Sequence, residues 1–168
     1  VGFFFLLGQF YLNRSNKVFI KIYKMVKIIK LHKIIGYLVI AIFFIHPFLI
    51  VLPRFFEAGV DPIYAFWLMI TDFKSLGIIF GLIAWCVMIA LFLTSFYKDK
   101  LNMTYSKWRL LHIVLSVVFI STALWHVIDL GRHMNEIMIL FIFLLVCISV
   151  YQLRKLYFSK NYKKEKVL

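Results

Sequence analysis

Four histidines fall into two matched pairs: His32 and His46 are fourteen residues apart, and so are His112 and His126. Each pair lies in a run too apolar for a soluble domain, where an unpaired ionisable group costs about 2 kcal/mol or more. Fourteen residues at about 100° each end about 40° short of four full turns, so both members of a pair face one side of a helix. They stand roughly 21 Å apart along it, which is most of the ~30 Å hydrocarbon core of a bilayer. Two such helices side by side would offer one histidine pair near each membrane face.

Neutral imidazole ligates metals through a single ring nitrogen. Four histidines on one ion would have to converge, which a ~21 Å separation forbids. Isolated two-histidine zinc sites would lack ligands, because zinc takes three or four from protein. No Asp or Glu lies at either depth to complete them. A b-type haem needs only two axial ligands, and its flat apolar macrocycle fits between the helices of a bundle. Two stacked haems would make a path for electrons across the membrane. For any one histidine, a helix-packing hydrogen bond is the plain alternative. Four at matched spacing and depth argue for a ligand set.

The elements that must position them follow from composition. The chain is 64% apolar with a mean hydropathy of +0.93, against ~45–50% apolar in soluble domains. It reads as an all-α integral membrane helix bundle, one domain over residues 1–168. Cys86 and Cys147 stand alone in separate apolar runs and suggest neither a disulfide framework nor a CxxC motif. Four runs of about 20 residues, the length a bilayer demands, read as full spans: Leu31–Leu52, Leu76–Tyr97, Leu110–Leu130 and Ile137–Leu156. Val1–Leu12 is apolar but too short to cross and reads as the end of a truncated N-terminal helix. Asn16–Lys30 interleaves lysines with Val, Ile, Phe and Met, the pattern of an amphipathic helix on anionic membrane lipid. A lysine patch that docks a cytosolic electron donor is the sharper alternative.

Charge gives the orientation. Of the 20 basic residues, 17 fall in the stretch before Ile34, in the connection Lys98–Arg109 and in the tail. The opposite side keeps only Arg54, Lys74 and Arg132, with five of the seven acids. The positive-inside rule puts the basic side in the cytoplasm. The net charge of +13 therefore reflects sidedness, and nucleic acid is not an expected partner. Both histidine helices then run from inside to outside, which sets His32 level with His112 and His46 level with His126.

The stretches GQFYLNR, LHKIIGYLVIAIFFIHP and YSKWRLLHIVLSVVFISTALWHVIDLGRH closely resemble the ferric reductase-like transmembrane domain, shared by bacterial ferric reductases and NADPH oxidases. That resemblance runs over nearly the whole chain. It implies a multi-pass protein of the cell membrane, six family helices, and two b haems. Each haem would be held by histidines of the third and fifth helices, here Leu31–Leu52 and Leu110–Leu130. Measured against that plan, the first helix and half of the second are missing, as is the cytosolic FAD and NAD(P)H region. No glycine-rich nucleotide loop occurs in the sequence, so flavin and nicotinamide are expected on a further domain or a partner reductase. His46-Pro47-Phe48 is similar to a flavin motif of these reductases but lies in a span, where Pro47 reads as a bend.

A haem reading gives other residues roles. Lys33 and Arg109 lie at inner depth, where they would pair with propionates. Arg132 and His133 would do so outside, or be solvated loop residues. Gly36, one turn above His32, would admit a porphyrin or let two helices touch. Phe119, seven residues from both His112 and His126, would fill the gap between haems or be ordinary core. The tryptophans mostly lie near helix ends, in the interfacial belt. The expected activity is electron transfer from a cytosolic flavin to an external acceptor, with ferric iron and dioxygen equally open. Alternatives are a haem subunit feeding a periplasmic methionine sulfoxide reductase, or a haem-free transporter or scaffold.

Overall fold

Lipid offers no partner to backbone N–H and C=O groups, so a chain of this composition must satisfy them within each segment. The computed structural model, which describes residues 2–12, 16–71, 73, 75–131 and 134–158, does so with helices. They are α1 (Gly2–Tyr11), α2 (Lys17–Val51), α3 (Pro62–Thr71), α4 (Leu76–Phe96), α5 (Tyr105–Leu130) and α6 (Glu136–Phe158), with 3-10 turns at Leu52–Phe56 and Lys98–Lys100. Among the described residues there is no strand.

Three helices are long and apolar enough to cross a membrane: Ile20–Phe56, Leu76–Phe96 and Tyr105–Leu130. The sequence pattern predicts a fourth, Ile137–Leu156. It falls inside α6, a helix of 23 residues, whose apolar stretch among the described residues is Glu136–Tyr151. The predicted boundary between surface segment and first span also shifts. Both belong to α2, and the residue inside it with non-helical dihedrals is Lys24 (φ 59°, ψ 146°) rather than Pro47. Lys21, Lys24, Lys27 and Lys30 are all exposed.

The chain divides into two units, Val1–Val39 with Asn135–Leu168, and Ile40–Met134. In the first, Phe3, Leu6, Leu7 and Phe10 are buried. Their spacing of i, i+3, i+4 and i+7 is the apolar stripe of a packed helix. α1 packs on α6, with Phe4 against Phe141 at 6.2 Å and the Tyr11 hydroxyl donating to the Leu145 carbonyl at 3.4 Å.

In the second unit, α4 and α5 form an antiparallel hairpin tied at both ends. At one end the Trp108 indole donates to the Thr94 carbonyl at 2.9 Å. At the other, the Ser75 hydroxyl and the Gly77 N–H donate to Asp129 at 2.6 and 2.8 Å. Gly77, Ala84 and Met88 of α4 and Phe119, Ile120, Thr122 and Ala123 of α5 are buried. Small residues dominate because, between helices in lipid, close backbone approach rather than hydrophobic expulsion supplies the attraction. Large apolar side chains such as Leu93, Val114 and Trp125 stay exposed, as a lipid-facing surface requires.

One element of this unit has no counterpart in the sequence reading. The stretch between the first two spans holds α3, started by Asp61, whose carboxylate accepts from Ile63 N at 2.9 Å, and by Pro62 as its first residue. That is standard helix-initiation chemistry. No α3 residue is buried, and Phe66 stacks on Phe48 at 5.4 Å.

Candidate functional site

His46 of α2 and His126 of α5 come together. Their ring centres are 6.3 Å apart and their planes nearly perpendicular, at 87°. Two imidazoles that would both bond one metal at about 2.0 Å, each nitrogen about 1.1 Å from its ring centre, could have centres up to roughly 6.2 Å apart. The perpendicular planes are no obstacle, because a ring held through one nitrogen turns freely about that bond. Among the described residues no three His, Cys, Asp or Glu side chains cluster. The arrangement thus suits a group that takes two protein ligands.

His126 is held from the α4 side. Its Nδ1 lies 2.9 Å from the Gly77 carbonyl. A carbonyl oxygen can only accept, so Nδ1 carries the proton and neutral His126 has its lone pair on Nε2. The ring fits because position 81 is glycine: a Cβ there would lie 2.8 Å from Cε1 and closer still to Nδ1.

His112 stacks on Trp108 one turn earlier, at 5.4 Å and 28°, which is what the four-residue spacing of the WRLLH element produces. Its Nδ1 is 3.2 Å from Ser95 Oγ. A hydroxyl both donates and accepts, so this contact leaves the tautomer open. Arg109 is half-buried in the first turns of α5. Phe119 is buried and meets Phe43 edge to face at 6.1 Å. Trp85, in mid-helix rather than at an end, stacks on Phe44 at 5.5 Å; its indole nitrogen is buried without a partner among the described residues.

His32 belongs to the first unit, so its pairing with His112 rests on sequence register. Its neighbour there is Gln9. With the Gln9 amide turned to suit its surroundings, its nitrogen lies 2.6 Å from His32 Nδ1 and 3.1 Å from the His32 carbonyl, and its oxygen accepts from Gly36 N at 3.1 Å. A Cβ added at Gly36 meets nothing within 4 Å. The Cβ side of that glycine is open, while its N–H meets Gln9 of α1. Lys33 is exposed. Arg132 and His133 lie outside the described residues.

Residues 1–123 match a family described as the ferric reductase like transmembrane component. The chain belongs to the ferric reductase-like transmembrane family. Membership places it in a membrane and, at the general level, among oxidoreductase components. The matched stretch includes His32, His46 and His112; His126 lies three residues beyond it. An uncharacterised protein of Archaeoglobus fulgidus is 39% identical over 133 residues, covering 79% of this chain and 72% of the relative. No solved structure matches.

Sequence reasoning passed over Gly77, Gly81 and Asp129. The G-x-x-x-G spacing at 77–81 was the available signal, since it marks a face where another helix comes close. Gln9 was visible only as part of GQFYLNR, without a role.

Proposed function

We propose that this ferric reductase-like component passes electrons across the cell membrane through two haems of b type. His46 and His126 would hold the outer one, and His32 and His112 the inner one. The observation that carries this reading is the 6.3 Å separation of the His46 and His126 rings. It is supported by family membership and by the open space beside Gly36, one turn from His32.

Bound haem supplies reversible one-electron chemistry at iron. The chain's own residues do the rest. The four imidazoles would hold the two haems, and burial and hydrogen bonds around them would tune potential. Gly77 keeps His126 in the tautomer whose Nε2 lone pair is available. Phe43 and Phe119 meet edge to face at 6.1 Å, at a level between the two histidine depths. Lys33 and Arg109 supply positive charge at the inner level, where carboxylates of a bound macrocycle need neutralising. α6 is a fourth span, over Ile137–Leu156. The donor is a flavin reductase domain or subunit at the basic, cytoplasmic face, with FAD and NAD(P)H bound there. The acceptor outside is ferric iron or dioxygen.

The deciding experiment is the reduced-minus-oxidised visible spectrum of the purified chain, with haem counted per chain. Two low-spin b haems are expected. A colourless protein that fails to take up added haem would overturn the reading.

A further inference from the structure

Two glycines of α4 and two polar residues of α5 meet in register. Gly77 faces Asp129, and Gly81 faces His126. On α4 the partners are four residues apart and on α5 three, so each pair lies on one helix face. Asp129 Oδ2 accepts from Ser75 Oγ at 2.6 Å and from Gly77 N at 2.8 Å. Ser75 is the N-cap of α4, and its hydroxyl also receives the Gly77 N–H at 3.1 Å. A carboxylate here is doubly favoured, by charge-assisted bonds and by the positive end of the helix dipole. The contact needs glycine: a Cβ at position 77 would lie 2.5 Å from Asp129 Oδ2 and 2.8 Å from its Cβ. The other side of the same residue, the Gly77 carbonyl, takes the His126 Nδ1 proton at 2.9 Å.

We propose that Asp129 is a positioning residue for His126, acting through Ser75 and Gly77. The carboxylate clamps the first turn of α4, and the clamped Gly77 carbonyl holds the imidazole ring with Nε2 directed away from α4. The metal-binding part of this inference rests on the haem reading above; the clamp itself does not. With the clamp intact, the carbonyl draws on the Nδ1 proton and raises the basicity of Nε2, which favours the oxidised iron of a bound haem. With the clamp broken, the ring loses its fixed orientation and part of that basicity. Partners of this kind typically change metal affinity roughly 10–100-fold.

Three variants of the full chain separate geometry from charge. Asp129→Ala removes the clamp and the charge. Asp129→Asn removes the charge and keeps an acceptor. Gly77→Ala keeps the charge and pushes the carboxylate off the backbone. Two readouts are taken. On the haem-loaded chain, the potential and low-spin electron paramagnetic resonance signal of each haem are measured. On the haem-free chain, nitrogen-15 magnetic resonance of histidine reports the His126 tautomer, assigned with His126→Ala. The expected result is a more positive outer potential, an altered outer signal and weaker outer haem retention in Asp129→Ala and Gly77→Ala. Asp129→Asn should stay nearer the unsubstituted chain, and the inner haem should not move. The haem-free spectra should show the Nδ1–H form of His126 diminished in the same two variants. An unchanged tautomer in both would overturn the proposal. So would a potential shift equal in Asp129→Ala and Asp129→Asn and absent from Gly77→Ala, since charge at a distance would then explain everything. An unsubstituted chain that takes up no haem, yet shows an Asp129-dependent tautomer, would reject the haem reading and leave the clamp standing.

Discussion

Replacing Gly81 with alanine should empty the outer site while leaving the fold almost as stable as before. The added methyl would lie 2.8 Å from His126 Cε1 and 3.2 Å from Cγ. Carbon contacts become favourable near 3.5 Å, so the ring must withdraw by about 0.7 Å. Metal ligation tolerates only about 0.2 Å, so on the proposed haem reading the displaced ring could not keep a bond to an iron that it would share with His46. The energetics of the fold point the other way. Swinging the ring aside gives up the bond to Gly77, worth about 0.5–1.5 kcal/mol. Alanine in a helix interior regains about 0.5–1 kcal/mol over glycine. The two nearly cancel, so the haem-free melting temperature should move by no more than about 2–4 °C. Outer haem retention should meanwhile fall at least tenfold, the scale seen for perturbed ligand support. The assay is haem per chain from the visible spectrum, with circular-dichroism melting of haem-free protein in the same detergent. A Gly81→Ala chain that kept two haems with unaltered spectra would refute the seat described for His126. One that lost helix packing and both haems together would refute the separation of local seat from global stability.

His46→Ala should remove the outer haem and leave the inner one spectroscopically intact, as read from haem count and low-spin signals; retention of both would break the pairing with His126. A cysteine at Asn102, in the exposed turn between α4 and α5, should react with an impermeant thiol probe only from the cytoplasmic side. A cysteine at Gly59 should react only from outside, and the reverse pattern would invert the proposed direction of electron transfer. Mixed with NADH or NADPH alone, the purified chain should show no prompt haem reduction, whereas dithionite should reduce it. With an added flavoprotein donor the rate should fall as salt rises, because the basic face steers an acidic partner only within a Debye length of about 10 Å at 0.1 M.

The proximity of His46 and His126 was legible because topology alone sets their depth. Two helices that run the same way, with one helix between them, carry equal histidine spacings to equal levels. The spans were legible for a similar reason, since a length of about 20 apolar residues is imposed by the bilayer rather than by tertiary contacts. α3 was not legible. Its ten residues are too few to cross, and its polar start at Asp61 resembles an outer loop until the Asp-Pro initiation is recognised. The fourth predicted span, Ile137–Leu156, lies within α6, which is helical over Glu136–Phe158.

What stayed hidden has a common physical cause. A histidine inside a span announces itself by being the wrong residue for an apolar run, with an energetic penalty that marks it. Its supports carry no such mark. Gly77 acts through a carbonyl that every residue possesses, and Gly81 acts through the side chain it lacks. Asp129, at the exposed end of α5, looks like any acid in an outer loop. Their meaning is pairwise: glycine at 77 matters because Asp129 reaches across to it, and glycine at 81 because His126 occupies the room it leaves. Spacing on one helix predicts a close face but not which side chain fills it. The out-of-place histidines of such a bundle can therefore be read from sequence periodicity, while the residues that orient them become visible only when two helices are placed side by side.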